Sequence, residues 1–230
     1  VTLDSSGITV QNNYIGTNLN GAAGFGNGGN GILITAQSRN NLIGTLDTLT
    51  GKPLEYQVSN VISGNGGNGV LIRGSSGNRL ANNRIGTTPN GTSALENNGN
   101  GIELTAGAKT NVIGGSANAG NDPTQGEFAR PGQGNLISGN ALNGVSINTR
   151  SISNTLMGNF IGTNSAGTSA IGNQLNGVSI ANANGNRLIG TTFNQPPFIF
   201  YNVVSGNKLH GLSVLNSNNI TVHANFFGLG

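Results

Sequence analysis

The feature that most constrains the fold is a short phrase that recurs down the chain at regular intervals. It consists of Asn-Gly, an alternating apolar segment, then Asn-x-Leu or Asn-x-Ile, and then Ile-Gly-Thr or Ile-Ser-Gly-Asn. The alternating segment begins at seven places, namely Val1, Ile32, Val70, Ile102, Val145, Val178 and Leu212. A repeat of this kind is typical of solenoids, so it predicts a stack of similar coils rather than a globule around one centre.

The composition agrees with an ordered chain that turns many tight corners. The 230 residues include 40 Gly and 40 Asn, and only 7% are charged. Gly and Asn tolerate the left-handed backbone conformation that corners require, whereas disordered chains are usually rich in charge. The absence of Cys excludes disulfides and thiolate metal sites. With 10 Lys and Arg against 7 Asp and Glu, no cluster indicates nucleic acid, and no long apolar run indicates a membrane span.

Each coil contains three short strands, which we name A, B and C. Strand A carries apolar pairs such as Val70 and Ile72, and a spacing of two puts both side chains on the inner face. The apolar position of strand B reads Val10, Leu42, Leu80, Val112, Leu156, Leu188 and Val222. That of strand C reads Ile15, Ile62, Ile85, Ile137, Ile161, Val204 and Phe227.

Two types of coil alternate along the chain. In one type, a loop of 13 residues follows strand C, at 18–30, 88–100 and 164–176; we call these the fixed-length loops. In the other, a variable loop lies between strands B and C, at 45–59, 115–134 and 191–201. The repeating unit is therefore a pair of coils, and residues 1–230 are predicted to be one β-helix stretch with pairs starting near residues 1, 70, 145 and 212. Because neither end has a polar cap, we expect this stretch to continue in a longer chain or to stack end to end.

The pattern Asn-x-Ile-x-x-Asn-x-Ile-Gly resembles the right-handed parallel β-helix repeat family over essentially the whole chain. The resemblance implies an all-β solenoid of about six to seven coils. The variant with Ile-Gly-Thr, Asn-Val-Ile-Ser-Gly-Asn and Asn-Gly-Val resembles the arrays of large secreted or surface-attached bacterial proteins. That resemblance implies an extracellular or cell-surface location and a structural or adhesive role, with other copies or further repeats of the same chain as partners.

Seven asparagines occupy one column just before strand C: Asn13, Asn60, Asn83, Asn135, Asn159, Asn202 and Asn225. Stacked side-chain amides can hydrogen-bond to the coils above and below. We interpret the column as a structural ladder; the alternative is an array of amides that binds a sugar.

The acidic residues argue against an enzyme, because they are scattered: Asp4, Asp47, Glu55, Glu96, Glu103, Asp122 and Glu127. Glycoside hydrolases place two carboxylates on either side of the scissile bond, and calcium-dependent lyases need several oxygen ligands together. We therefore predict no catalytic residue, no metal and no cofactor. A polysaccharide lyase or glycoside hydrolase remains the minority alternative.

The variable loops are the candidate binding elements, because recognition usually lies on surface loops of a rigid scaffold. Their candidate binding residues are Tyr56, Phe128, Arg130, Phe198 and Phe200. The outward position of strand C forms what we call the strand C stripe: Tyr14, Val61, Arg84, Leu136, Phe160, Val203 and Phe226. An apolar stripe of this length is not expected to face water. We expect loops to fold back over it or another chain to cover it as an interface.

Two functions remain open. The first is a non-catalytic structural or adhesive segment of a large extracellular filament or adhesin, with surface glycans as a further class of partner. The second is a carbohydrate-active or carbohydrate-binding β-helix, similar to polysaccharide lyases, hydrolases or tailspikes. We predict the first, because the acids are sparse, although a fold by itself does not imply a function.

Overall fold

The computed structural model describes residues 1–18, 20–45, 59–115, 134–192 and 199–228. These residues form a right-handed parallel β-helix of seven coils, built from three parallel sheets of seven strands each. Successive strands of the chain go to successive sheets, so every sheet neighbour is one coil away. Within the described ranges, no helix is long and apolar enough to cross a membrane.

The sheets are named A, B and C after their strands. Sheet A contains β1 (Thr2–Leu3), β4 (Ile32–Ile34), β7 (Val70–Arg73), β10 (Ile102–Thr105), β13 (Val145–Asn148), β16 (Val178–Ala181) and β21 (Leu212–Leu215). Sheet B contains β2 (Thr9–Val10), β5 (Leu42–Gly44), β8 (Arg79–Ala81), β11 (Val112–Gly114), β14 (Thr155–Met157), β17 (Arg187–Ile189) and β22 (Thr221–His223). Sheet C contains β3 (Tyr14–Ile15), β6 (Val61–Ile62), β9 (Arg84–Ile85), β12 (Leu136–Ile137), β15 (Phe160–Ile161), β20 (Asn202–Val204) and β23 (Asn225–Phe227). A separate antiparallel pair joins β18 (Thr191–Thr192) to β19 (Ile199–Phe200).

The core is a continuous apolar column inside the three sheets. In sheet A the two inner positions of each central strand are fully buried, as Val70 and Ile72 show at 0% exposure. In sheet C the residues predicted to point inward pair with one another from Ile15 to Phe227. Alternation at a spacing of two therefore decides which side chains enter the core.

In sheet B the inward column differs from the predicted one in two coils. Ile43 and Ile113 are fully buried, and both pair with Leu80. Leu42 and Val112 pair with Arg79 and face outward, half-buried. The prediction was wrong there because each strand has two consecutive apolar residues, and only alignment with Arg79-Leu80 distinguishes the inner from the outer one.

The corners depend on left-handed backbone and on close approach between coils. Asn12, Asn40 and Asn82 have φ values of 57°, 55° and 56°. Gly86 has a φ of 86°, and a Cβ at this position would lie 2.3 Å from the carbonyl oxygen of Ser138 in the next coil. Glycine is therefore required at Gly86 both by conformation and by space.

Candidate functional site

The strand C stripe forms one straight row on the outer face of sheet C. In-register pairing aligns its seven members from Tyr14 to Phe226. Adjacent strands lie about 4.8 Å apart, so the part of the row from Tyr14 to Phe160 extends over about 19 Å. The row is thus long enough to contact an extended ligand.

The fixed-length loops form a wall beside this row. Each loop has a tight turn, closed in the second loop by a hydrogen bond from Gly91 N to Thr88 O at 2.8 Å. The turns contact their counterparts two coils away: Ser165 N donates to Gly91 O at 3.2 Å, and a Cβ on Gly21 would lie 2.2 Å from Pro89 Cγ. The wall is therefore continuous across the intervening coils, which have no such loop.

The wall explains an alternation in exposure along the row. Val61 and Leu136 belong to the intervening coils and are only 2% and 6% exposed, whereas Tyr14 is 44% exposed. A Cβ on Gly91 would lie 2.7 Å from Leu136 Cδ2, so the turn packs directly on the row. The fixed-length loops thus shield part of the stripe, although the sequence pointed to the variable loops or another chain as its cover.

A groove of about 640 Å³ runs between this wall and the corner that joins sheets B and C. The floor of the groove contains Tyr14, Arg84 and Phe160, and each is two coils from the next. The two banks are small or polar: Pro89, Asn90 and Ser165 on the wall, and Asn12, Ser59 and Asn82 at the corner. Such a groove, with a partly apolar floor and polar groups at its edges, has the general character of a ligand site.

Arg84 is the only charged side chain among the described residues that line the groove. Burial lowers the pKa of the Arg84 guanidinium below its usual value, and the neighbouring Tyr14 opposes this effect. No ion pair joins the guanidinium to another residue in the described ranges. The groove therefore presents a partly desolvated cation with five N–H donors between two aromatic side chains.

An unbroken hydrogen-bonded ladder lies beneath the corner bank of the groove. It contains the seven asparagines Asn13, Asn60, Asn83, Asn135, Asn159, Asn202 and Asn225. Each Nδ2 donates to the Oδ1 of the next member at 2.8–3.2 Å. The five central members are at most 1% exposed. These side-chain amides hydrogen-bond to one another inside the β-helix, so they are not available to bind a ligand.

Three further ladders were not identified from the sequence. One precedes sheet B and contains Asn41, Asn78, Asn111, Asn154 and Asn186. One lies between sheets C and A and contains Asn27, Asn65, Asn97, Asn140, Asn173 and Asn207. An outer one contains Asn68, Asn100, Asn143 and Asn176. These ladders could have been identified in the same way as the first ladder, because each has an asparagine at the same place in successive coils.

Glu103 is the one acidic residue on a described strand, and it lies away from the groove on the outer face of sheet A. Its carboxylate accepts hydrogen bonds from the Nδ2 atoms of Asn68 at 2.9 Å, Asn148 at 3.0 Å and Asn100 at 3.4 Å. In the part of the chain that the structure describes, no group of three or more His, Asp or Glu side chains could hold a metal ion.

Most of the predicted loop residues lie outside the described ranges, namely Tyr56, Phe128, Arg130 and Phe198. The same holds for the four loop acids Asp47, Glu55, Asp122 and Glu127. Phe200 ends β19, where its main chain pairs with Thr191. At the far end of the stripe, Phe226 is 46% exposed and contacts Tyr201 edge to face, with ring centroids 4.6 Å apart. The loop residues stay predictions.

Comparison with known proteins reveals similarity in fold but not in sequence. No family model and no curated protein matches the chain. A variant of the periplasmic alginate epimerase AlgG is 14% identical over 86% of this chain and 42% of its own, with a TM-score of 0.50. Another structure of the same epimerase is 15% identical over 86% of this chain and 42% of its own, with a TM-score of 0.49. A variant of the GH87 α-1,3-glucanase catalytic domain in complex with nigerose is 15% identical over 85% of this chain and 40% of its own, with a TM-score of 0.25.

The chain spans less than half the length of the solved structures it matches. At such low sequence identity the likeness shows the fold, a parallel β-helix. It also corrects our functional prediction: we predicted a non-catalytic structural or adhesive segment, and that prediction is wrong. The finding that overturns it is the likeness in fold to a periplasmic alginate epimerase, at a TM-score of 0.50.

Proposed function

We propose that this chain binds a glycan and that the groove on sheet C is the binding site. The observation that carries the proposal is the regular order of aromatic, cation and aromatic along the floor. Tyr14, Arg84 and Phe160 follow one another at two coil rises, about 9.6 Å each. Aromatic rings pack against the C–H faces of sugar rings, while a guanidinium and amides bind the hydroxyl groups.

The dimensions of the groove favour an oligosaccharide or polysaccharide over a single sugar. The floor extends over about 19 Å along the helix axis. The turns of the wall repeat at the same two-coil interval, since the hydrogen bond from Gly91 N to Thr88 O has its equivalent in the bond from Gly167 N to Asn164 O. A repeating polymer can use a repeating site of this kind at each step, whereas a monosaccharide would contact only one aromatic side chain.

For this groove we propose binding rather than turnover. Hydrolysis of a glycosidic bond uses a pair of carboxyl groups, and the described residues that line the groove include no carboxyl and no imidazole group. The fold likeness to a periplasmic alginate epimerase supports a carbohydrate ligand and a location outside the cytoplasm.

The proposal is tested by screening the protein on a glycan array and titrating the retained oligosaccharides by calorimetry. Tyr14→Ala and Phe160→Ala should each weaken binding about twofold to tenfold, since a stacked aromatic contributes about 0.5–1.5 kcal/mol beyond its buried area. Phe226→Ala is the matched control, because Phe226 occupies the same row but does not line the groove. Retention of no glycan, or equal losses in Phe160→Ala and Phe226→Ala, would refute the proposal.

A further inference from the structure

Four exposed cations lie at the corner between sheets A and B, which is the corner that does not border sheet C. Arg39, Lys109 and Arg150 are in the turns of this corner, and Arg73 ends β7. In the sequence they are 34, 36 and 41 residues apart (73 − 39, 109 − 73 and 150 − 109). Each interval is about one coil, so four consecutive coils contribute one cation each. We call this set the basic edge.

Backbone pairing places two of the four cations of the basic edge in one column along the helix axis. Bridges join Arg39 to Ser76 and Ser76 to Lys109, so the two cations lie in one column, two coils or about 9.6 Å apart. Lys109 is bridged in turn to Ile152, two residues after Arg150. The whole set extends over about 14 Å, from three coil rises.

The positive charge of the basic edge is not neutralised within the described part of the chain. No ion pair joins any of the four cations to a described residue. The two described carboxylates on this side of the molecule have other partners: Asp4 accepts a hydrogen bond from Thr35, and Glu103 is bound by asparagine amides. A row of like charges raises the local concentration of anions.

The surface around the cations discriminates between classes of anion. Residues 35–41, 73–78, 105–111 and 148–154 contain no aromatic side chain, and Ile152, at 41%, is the only large apolar side chain that they expose. Single-stranded nucleic acid is bound in part by stacking on aromatic side chains, and binding to a membrane surface is strengthened by a buried apolar face. A linear row of charges on a polar surface fits a linear polyanion with a polar backbone.

We propose that the basic edge is a second binding site, separate from the groove, and that it takes an acidic polysaccharide. The test measures binding of heparin and of polygalacturonate to the full chain by calorimetry at low ionic strength, in a Phe160→Ala background that weakens the groove. The double variant R39Q/K109Q should lose about 25-fold in affinity, at about fivefold per cation near an anionic partner. Added salt should weaken binding steeply, and uncharged dextran should not compete.

The matched control is K208Q, which removes one charge from an exposed position between sheets C and A and should change affinity by less than about twofold, whereas K109Q alone should lose about fivefold. An equal loss in K109Q and K208Q would mean that only the net charge of the protein matters, and it would overturn the proposal. Binding of duplex DNA or of phosphatidylglycerol vesicles without binding of either polysaccharide would also overturn it. Failure of the groove proposal is distinguishable, because the groove variants and the edge variants are assayed with different ligands.

Discussion

Replacement of Asn135 by leucine tests the asparagine ladder that supports the corner bank of the groove. Asn135 is fully buried and its side chain takes part in four hydrogen bonds. Oδ1 accepts from Asn83 N at 3.0 Å and Asn83 Nδ2 at 2.8 Å. Nδ2 donates to Leu80 O at 2.8 Å and Asn159 Oδ1 at 3.0 Å. Leucine has nearly the same shape but can form none of these bonds.

The energetic loss falls mainly on the main-chain N–H of Asn83, which uses Asn135 Oδ1 as its acceptor. A buried donor left unpaired costs about 1–3 kcal/mol. The other partners keep some of their bonds, since Asn83 Nδ2 still reaches Ile43 O and Ala81 O, and Asn159 Oδ1 still accepts from the Asn135 N–H. Each of these lost bonds adds about 0.5–1 kcal/mol. With the gain from burying leucine subtracted, we expect a loss of about 3 kcal/mol in the free energy of unfolding.

For a chain of this length, about 3 kcal/mol corresponds to a fall of roughly 6–12 °C in Tm, measured by calorimetry. Asn143→Leu is the control, because Asn143 belongs to the half-buried outer ladder, where water can replace the lost partners; it should cost less than about 1 kcal/mol. Hydrogen exchange should accelerate mainly in the coils that contain Asn83 and Asn159, since coils interact only with their neighbours. A Tm for Asn135→Leu within about 2 °C of the wild type would refute this reasoning.

Three further substitutions test the corners, the wall and the groove. Gly86→Ala and Gly107→Ala start from similar φ values of 86° and 81°, but a new Cβ meets Ser138 O at 2.3 Å at Gly86 and nothing within 4 Å at Gly107. Gly86→Ala should therefore destabilise by about 1–3 kcal/mol more in urea unfolding, and equal losses would contradict the close approach. Leu136→Glu buries a carboxylate under the wall, so it should lower the free energy of unfolding by about 3 kcal/mol or more. The molar mass measured by light scattering should not change. Dissociation of an oligomer would instead show that another chain covers the stripe. Arg84→Met should raise Tm while weakening glycan binding: burial lowers the pKa of Arg84, so its charged form, present at neutral pH, destabilises the folded state. A lower Tm in this variant would indicate that the guanidinium has a stabilising partner.

The inner column of sheet A could be predicted from the sequence because an apolar pair at a spacing of two recurs in its strands. That of sheet C could be predicted, although most of its strands have two consecutive apolar residues, because the inner one directly precedes Gly or Ser in every coil. Sheet B could not be assigned by alternation alone in two coils, since Leu42 and Ile43 are both apolar. The physical discriminator is the cost of burying a charge: Arg79 occupies the position that pairs with Leu42, so that position must face outward. Alignment between coils therefore carries information that a single strand does not.

The groove could not be predicted, because its wall is made of turns with no distinctive composition. We predicted binding at the variable loops because they carry aromatic residues. The residues of the wall, Pro89, Asn90 and Ser165, are of types common in any turn. Their role depends on how the fixed-length loops contact one another across two coils, as Ser165 N does with Gly91 O. Such contacts depend on the path of the backbone, which local propensity does not specify.

The two proposed surfaces differ in period, and this follows from where the loops leave the coils. The fixed-length loops leave after strand C in alternate coils only, so shielding of the stripe and exposure of Tyr14, Arg84 and Phe160 repeat every second coil. The corner between sheets A and B carries no long loop in either type of coil, so every coil from the second to the fifth can place a cation there. Spatial neighbours on this corner are about 35 residues apart in the sequence, which is why a search for a local run of Lys and Arg finds nothing. A ligand in the groove must therefore match a two-coil interval of about 9.6 Å, whereas a ligand on the basic edge meets a charge at each coil rise of about 4.8 Å.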